Sequence, residues 1–433
     1  SGIFNFAHGT IAALVAFAFY DLRERQGLPW PLALALCLGV LAPLIGIGVE
    51  RIARRLADAP VATKVVATIG MIVAIQQGLV IRYGSTLTQV EPFLPTRVFR
   101  ILGVNVGADQ LIVMALGLAG MLGLTAVLRS RLGRQMRAVV DQPDLLALMG
   151  TSPVAVRRRA WMIGCVFAGL SGVLLATTVG LEVTVLSLLV VQAFGAAAIG
   201  MFTNIPLSYA GGLAIGIVSA LSTKYVAEVT WLNGLPPSVP FLVLFAVLVA
   251  APSRWLLDFT GERKPVAKDP LRVPRPVLVG GSVLLVVLGI VLPGLVGTRL
   301  PVFTAALAYV IIYLSLALLL RTSGQVSLAQ LAFAAVGGAA SAQLISEGGV
   351  PWFLGVGLGA LVAVPVGAVL AIPAIRRSGL YLALATFGFG ILAQNLIFPM
   401  PWTFGVKGQA IIRRPGFLDG DLAFYYYVLA IVL

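Results

Sequence analysis

A chain of 433 residues that is 59% hydrophobic and only 11% charged, with a mean hydropathy of +1.02, cannot cover itself with a water-facing surface, since soluble domains carry about 25% charged residues. That excludes a soluble enzyme. The net charge of +14 is read as Lys and Arg gathered in cytoplasmic loops by the positive-inside rule, rather than as a nucleic-acid surface, and no nucleic-acid partner is expected.

In lipid every backbone amide must be satisfied internally, so spans are helices or a closed barrel. A barrel alternates apolar and polar residues over strands of about ten residues. Here the apolar runs are continuous and about twenty residues long, the length a helix needs to cross the hydrocarbon core. The expected fold is an all-α polytopic membrane protein with about 13–14 transmembrane helices. The spans fall near 3–20, 31–49, 61–81, 109–128, 160–179, 186–203, 209–227, 238–257, 277–297, 302–320, 326–345, 351–372 and 380–398, with a last one from 423 onward. No basic n-region precedes the first, so no cleavable signal is expected. Cys37 and Cys165 both lie inside apolar runs, which argues against a disulfide framework.

Taken in chain order, the first basic turn holds Arg51, Arg54 and Arg55, with Glu50 beside them as a helix-end residue. The stretch 82–108 then faces outward, and 129–159 holds seven arginines. Glu182 lies in a short external turn. Residues 254–276, RWLLDFTGERKPVAKDPLRVPRP, are polar with four prolines and read as a linker. Arg376 and Arg377 mark a further basic turn. If all these basic segments are cytoplasmic, the number of spans between each pair is even, as it must be.

The two sides of the linker repeat. SGIFNFAHG at 1–9 matches SGQVSLAQL at 323–331, so that Ala7 aligns with Ala329; ATIGMIVAIQ at 67–76 matches ATFGFGILAQ at 385–394. The span count makes both copies run in the same direction, as two parallel-repeat halves, one common way to build a transport pathway. The domains are expected at 1–257, 258–276 (linker) and 277–433.

Much chemistry is missing. With His8 the one histidine, two-histidine metal sets are impossible, and no metal site is expected. No lysine follows a glycine, so there is no phosphate loop of the GxxxxGK[ST] type. GVGLGA at 355–360 lies in an apolar span and reads as close helix packing through Gly355 and Gly359, with Gly212 and Gly216 at the same spacing. Acidic residues inside the spans are nearly absent, which argues against a proton- or sodium-coupled carrier. His8 is either an imidazole hydrogen-bonded in the bundle or a pathway group.

The loop 129–159 is too long for a simple connection. Its segment Ala138–Gly150 is amphipathic, with Pro143 as a helix start and Gly150 as a stop. Such a helix suits docking into a partner's groove, the alternative being an interfacial helix on lipid headgroups. Asp141, Gln142 and Asp144 dilute the basic face that lipid prefers, so docking is the favoured reading.

SGIFNFAHG, the ATIG block at 67–70 and GRQMRAVVDQPDLLALMGTSP at 133–153 resemble the first membrane subunit of branched-chain amino-acid ABC transporters. The region 302–398, with SGQVSLAQLAF and SGLYLALATFGFG, resembles the second subunit of the same systems. The resemblance implies both permease halves on one polypeptide in the inner (plasma) membrane of a prokaryote. It implies no enzyme activity and no directly bound cofactor, ATP being used by two ATPase subunits or domains, and substrate delivered by an extracytoplasmic binding protein. Coupling to the ATPase falls on Ala138, Asp141, Gln142, Leu145, Leu148, Met149 and Gly150. The pathway candidates are Asn5, His8, Thr68, Gln76, Gln77, Gln330, Thr386, Gln394 and Asn395, each of which could instead be a buried helix–helix hydrogen bond. Against the family pattern, the first half lacks an opening helix, the second stops before any coupling loop, and AQL at 329–331 lacks a small-residue-plus-histidine pair; a fragment is expected. Branched-chain amino acids, urea, amides and aromatic acids all remain open as substrates. The alternative function is a stand-alone secondary carrier or channel for a small polar solute.

Overall fold

The structure, a computed structural model, describes residues 5–57, 59–101, 103–226, 229, 232–250, 274–376, 380–404 and 408–433. Each of the predicted apolar stretches falls on a helix. The order is α1 (His8–Tyr20), α2 (Trp30–Leu36), α3 (Ala42–Arg55), α4 (Val61–Tyr83), α5 (Ala108–Arg129), α6 (Arg131–Asp141), α7 (Pro143–Leu148), α8 (Pro153–Val179), α9 (Val183–Ile199), α10 (Ile205–Val226) and α11 (Leu235–Ala250). It continues with α12 (Arg275–Val296), α13 (Leu300–Ser323), α14 (Gln330–Ser346), α15 (Trp352–Arg376), α16 (Leu380–Leu392) and α17 (Asp421–Val432). A π-helical turn, Cys37–Leu41, joins α2 to α3 in one rod. Seven helical stretches among the described residues are long and apolar enough to cross a membrane. The chain is an all-α polytopic membrane protein. The linker expected at 254–276 lies outside the described residues except for its last three. The stretch 82–108, expected to face outward, is more than a loop: Val98–Ile101 (β1) pairs antiparallel with Val104–Gly107 (β2).

Helix ends follow local chemistry. Ser152 Oγ accepts a hydrogen bond from the Ala155 amide at the start of α8, with Pro153 at the first helical position, where its missing N–H costs nothing. The chain leaves α8 through Gly180 at φ +82°.

Contacts divide the chain into two compact units, Ser1–Val218 with Pro240–Arg263, and Ser219–Val239 with Lys264–Leu433. In the first, α1 is the central helix and packs on α8, α9 and α4, while α3 packs on α8. Ile11, Val15 and Phe19 of α1 share an apolar cluster with Cys37, Cys165 and Ala168, and both cysteines are free. Glycines set the close approaches: a Cβ on Gly172 would fall on the Ala12 backbone, and one on Gly46 would meet Met162. Glu50, expected as an end residue, instead points inward and is 1% exposed. Its carboxylate oxygens accept no hydrogen bond among the described residues, and the Arg54 Nε lies 3.8 Å away.

Three segments meet on one side of this unit. Thr88 and Leu181 form a β-bridge, and Arg23 Nη1 donates to the Glu91 carbonyl at 2.7 Å. The turn after α1, the stretch before β1 and the turn holding Glu182 therefore share a face, as the even span count requires.

In the second unit α14 packs on α15, and α13 on α17. The Gly355 and Gly359 expectation is met in kind: their missing side chains admit Ile345 and Ser341 of α14. Gly216 in the first unit is different, since it faces open space, and Gly211 is the tight position, against Ile199. A backbone defect in α12 is repaired from α17. Pro293 lies inside α12 and has no N–H to offer the Gly289 carbonyl one turn earlier. Tyr425 Oη donates to that carbonyl at 2.8 Å, and Tyr426 Oη donates to the Ile290 carbonyl at 3.0 Å. Tyr425→Phe should leave a half-buried acceptor in an apolar span unpaired and cost about 1–3 kcal/mol. The check is the thermal midpoint of the detergent-solubilised chain, and an unshifted midpoint would mean that the carbonyl has another partner.

Candidate functional site

The basic loop folds as two helices. The helix expected to start at Pro143 and stop at Gly150 is α7, and α6 ends just ahead of it, because proline disfavours helical geometry at the residue before it. Gln142 sits at φ −144°, ψ 80°, which ends α6 and starts α7. Gly150, at φ +77°, closes α7 with the Thr151 amide donating to the Leu146 carbonyl at 3.2 Å, a helix stop that needs a left-handed residue. The apolar side chains then divide. Val139 and Leu146 pack with Val156 of α8 in a small cluster flanked by Met136 and Ala138. Leu145, Leu148 and Met149 stay outside at 54%, 84% and 82% exposure, beside exposed Asp141, Gln142 and Gly150. The segment is thus anchored on α8 by Leu146 and presents three large apolar side chains outward.

The pathway candidates fall on the starts of α1 and α14 and along α4 and α16. Asn5 Oδ1 accepts from the Ala7 amide at 3.1 Å, so that side chain is engaged in starting α1; His8, half-buried, is its first helical residue. Thr68 is buried and donates to the Val65 carbonyl of its own helix. Gln76 is half-buried and Gln77 exposed. With Thr63 and Gly70, Gln77 lies at seven-residue spacing on the uncovered face of α4, a polar and small stripe in an apolar helix. In the second unit Gln330 begins α14. Thr386 is buried, accepts from the Leu328 amide at 2.9 Å and donates to carbonyls of its own turn, pinning the loop before α14 to α16. Gln394 and Asn395 lie in a π-helical turn, Ala393–Ile397, that continues α16; Gln394 is exposed, and the Gly234 backbone lies against the Asn395 carbonyl.

A model of the family described as branched-chain amino acid transport system, permease component, matches residues 1–266 and 299–433. The chain belongs to this family. Over 266 residues it is 27% identical to the high-affinity branched-chain amino acid transport system permease protein LivH of Salmonella typhimurium, covering 58% of this chain and 85% of that one. BraD of Pseudomonas aeruginosa, named as a permease of the same kind, is 28% identical over 241 residues, covering 52% and 78%. A probable LivH from Methanocaldococcus jannaschii is 24% identical over 264 residues, covering 57% and 81%. No solved structure matches.

The permease repeats its local geometry as well as its sequence. Ser327 Oγ accepts from the Ala329 amide at 3.3 Å, as Asn5 does from Ala7. Ala7 and Ala329 cap their helices in nearly the same conformation, φ −77°, ψ 5° and φ −95°, ψ 6°, and both are fully buried. Within each unit the helix so started packs on the helix of the second block, α1 on α4 and α14 on α16. Two signals went unread in the sequence. One is Pro29-Trp30 against Pro351-Trp352, in the same alignment as Ala7 with Ala329. The other is a cavity of about 490 Å³ lined by Arg129, Arg134, Arg137, Thr125, Asn204 and Pro206, among others. None of the nine pathway candidates lines it.

Proposed function

We propose that the chain is the transmembrane permease of an ATP-driven importer for branched-chain or related amino acids, with two fused halves, 1–257 and 277–433, joined through 258–276. Family membership supports the permease role. The single observation that carries the coupling to ATP is the outward display of Leu145, Leu148 and Met149 on a short helix anchored to α8, since an exposed apolar cluster on an ordered helix marks a docking site. Two ATPase subunits or domains bind and hydrolyse the nucleotide, and an extracytoplasmic binding protein delivers substrate. The permease binds no cofactor and needs few charges, because selectivity resides mostly in the binding protein. The exposed Thr63, Gly70 and Gln77 stripe of α4 and the π-turn holding Gln394 and Asn395 supply the polar lining of the path.

The test is uptake of labelled leucine by proteoliposomes. Uptake should require the binding protein outside and the ATPase with ATP inside, and the purified chain alone should show no saturable ATP binding. Leucine uptake by the chain alone, driven by an ion gradient, would replace this reading with a secondary carrier.

A further inference from the structure

The arginine cavity lies between the basic end of α5, the first turns of α6 and the turn before α10. Arg137 Nη1 donates to the Leu128 carbonyl at 3.0 Å and Arg134 Nη1 to the Arg129 carbonyl at 3.5 Å, closing the C-terminal end of α5. Each guanidinium carries five donors, so most remain for a ligand. None of the three arginines forms an ion pair with a carboxylate among the described residues. On the opposite wall Asn204 Oδ1 accepts from the Leu207 amide at 3.1 Å, which leaves its NH2 group to donate. Asn204 is carried there by a strained turn: Met201 and Phe202, neither a glycine, sit at φ 51° and φ 56°, in a left-handed conformation that persists where the surroundings hold a group in place.

The surroundings identify the ligand. α5 has none of its span buried, and Met114, Leu118 and Leu122 on it are exposed, as are Leu207, Leu213 and Ile217 on α10. Positively charged guanidiniums at the cytoplasmic mouth, continuous with uncovered apolar helix faces, match a molecule with a phosphate at one end and hydrocarbon at the other. Basic pockets between helices at the cytoplasmic surface hold such headgroups.

We propose that this cavity binds the phosphate headgroup of an anionic phospholipid of the cytoplasmic leaflet. The arginines hold the phosphate oxygens, Asn204 donates to the same group, and the acyl chains lie along α5 and α10. The bound lipid tethers the start of the α6–α7 segment to the membrane surface.

The experiment uses the full chain reconstituted in phosphatidylcholine vesicles with or without phosphatidylglycerol, then re-extracted in mild detergent. Retained lipid is measured by mass spectrometry and stability by thermal midpoint. The wild type should retain phosphatidylglycerol selectively and gain stability from it. The Arg129→Gln/Arg137→Gln pair should lower its apparent affinity by about tenfold or more, and the Arg129→Lys/Arg137→Lys pair should keep most of it. Equal retention by wild type and the glutamine pair overturns the proposal. If the glutamine pair fails to fold, the wild type decides alone: no preference for phosphatidylglycerol over phosphatidylcholine overturns it. Inorganic phosphate, added without phosphatidylglycerol, should leave the midpoint unchanged; stabilisation equal to that of the lipid would make this a free-anion site and reject the lipid assignment.

Discussion

Changing Leu148 and Met149 together to aspartate is expected to abolish co-purification of the ATPase while leaving the chain folded in the membrane. Both side chains are more than four-fifths exposed, so they stabilise nothing within the chain. Complete burial in a partner's groove contributes about 1.5–3 kcal/mol each, and two buried carboxylates would oppose docking further. The combined loss is a factor of a hundred or more in affinity, on the order of tenfold for each 1.4 kcal/mol. Leu146→Asp provides the contrast. Leu146 is buried against Val139 and Val156, so that change should loosen α7 itself and lower the thermal midpoint, which the double change should not. Full-strength co-purification with the double variant would reject the docking role and leave a helix resting on lipid headgroups.

The second large effect is expected at Gly172. Its missing side chain brings α8 onto the backbone of α1 at Ala12, the central packing of the first unit. A backbone carbonyl cannot swing aside as a side chain can. Gly172→Leu should therefore force the two helices apart and disturb the cluster of Ile11, Val15 and Cys165. Overpacking costs about 1–3 kcal/mol where neighbours can adjust and more where they cannot, so little monodisperse protein should survive extraction. A Cβ at Gly164 on the same helix meets no atom of the described residues within 4 Å, so Gly164→Ala should behave as wild type. A Gly172→Leu chain with an unchanged midpoint would show that α1 and α8 do not rely on this approach.

The spans were legible because the bilayer imposes one length and one polarity on every helix that crosses it, so composition alone located α5, α12 or α13 to within a few residues. The ends of α7 were legible for a different reason, since Pro143 and Gly150 act through their own backbones. What was not legible depended on neighbours. Leu145 and Leu146 are adjacent and chemically alike, yet one faces out and one packs on Val156, a division set by where α8 lies. Asn5 and Ser327 perform the same hydrogen bond with unlike side chains, so a comparison of identities passes over them. The arginine cavity escaped because its walls, 125–137 and 203–206, are about seventy residues apart, and basic residues in cytoplasmic loops already have an explanation.

The bond from Tyr425 to Gly289 spans 136 residues, and that separation has a meaning during synthesis. Ribosomes add about 5–20 residues per second, so α12 emerges on the order of ten seconds before the hydroxyl that completes its backbone. Over that interval the Gly289 carbonyl faces either hydrocarbon, which offers it no donor, or water within the insertion machinery. The second is far cheaper, which favours α12 remaining beside a hydrated channel until α17 arrives, so that the two enter the lipid as a pair. A nascent chain stalled just short of Tyr425 should accordingly cross-link through α12 to its insertase, and release it once the tyrosine has been made.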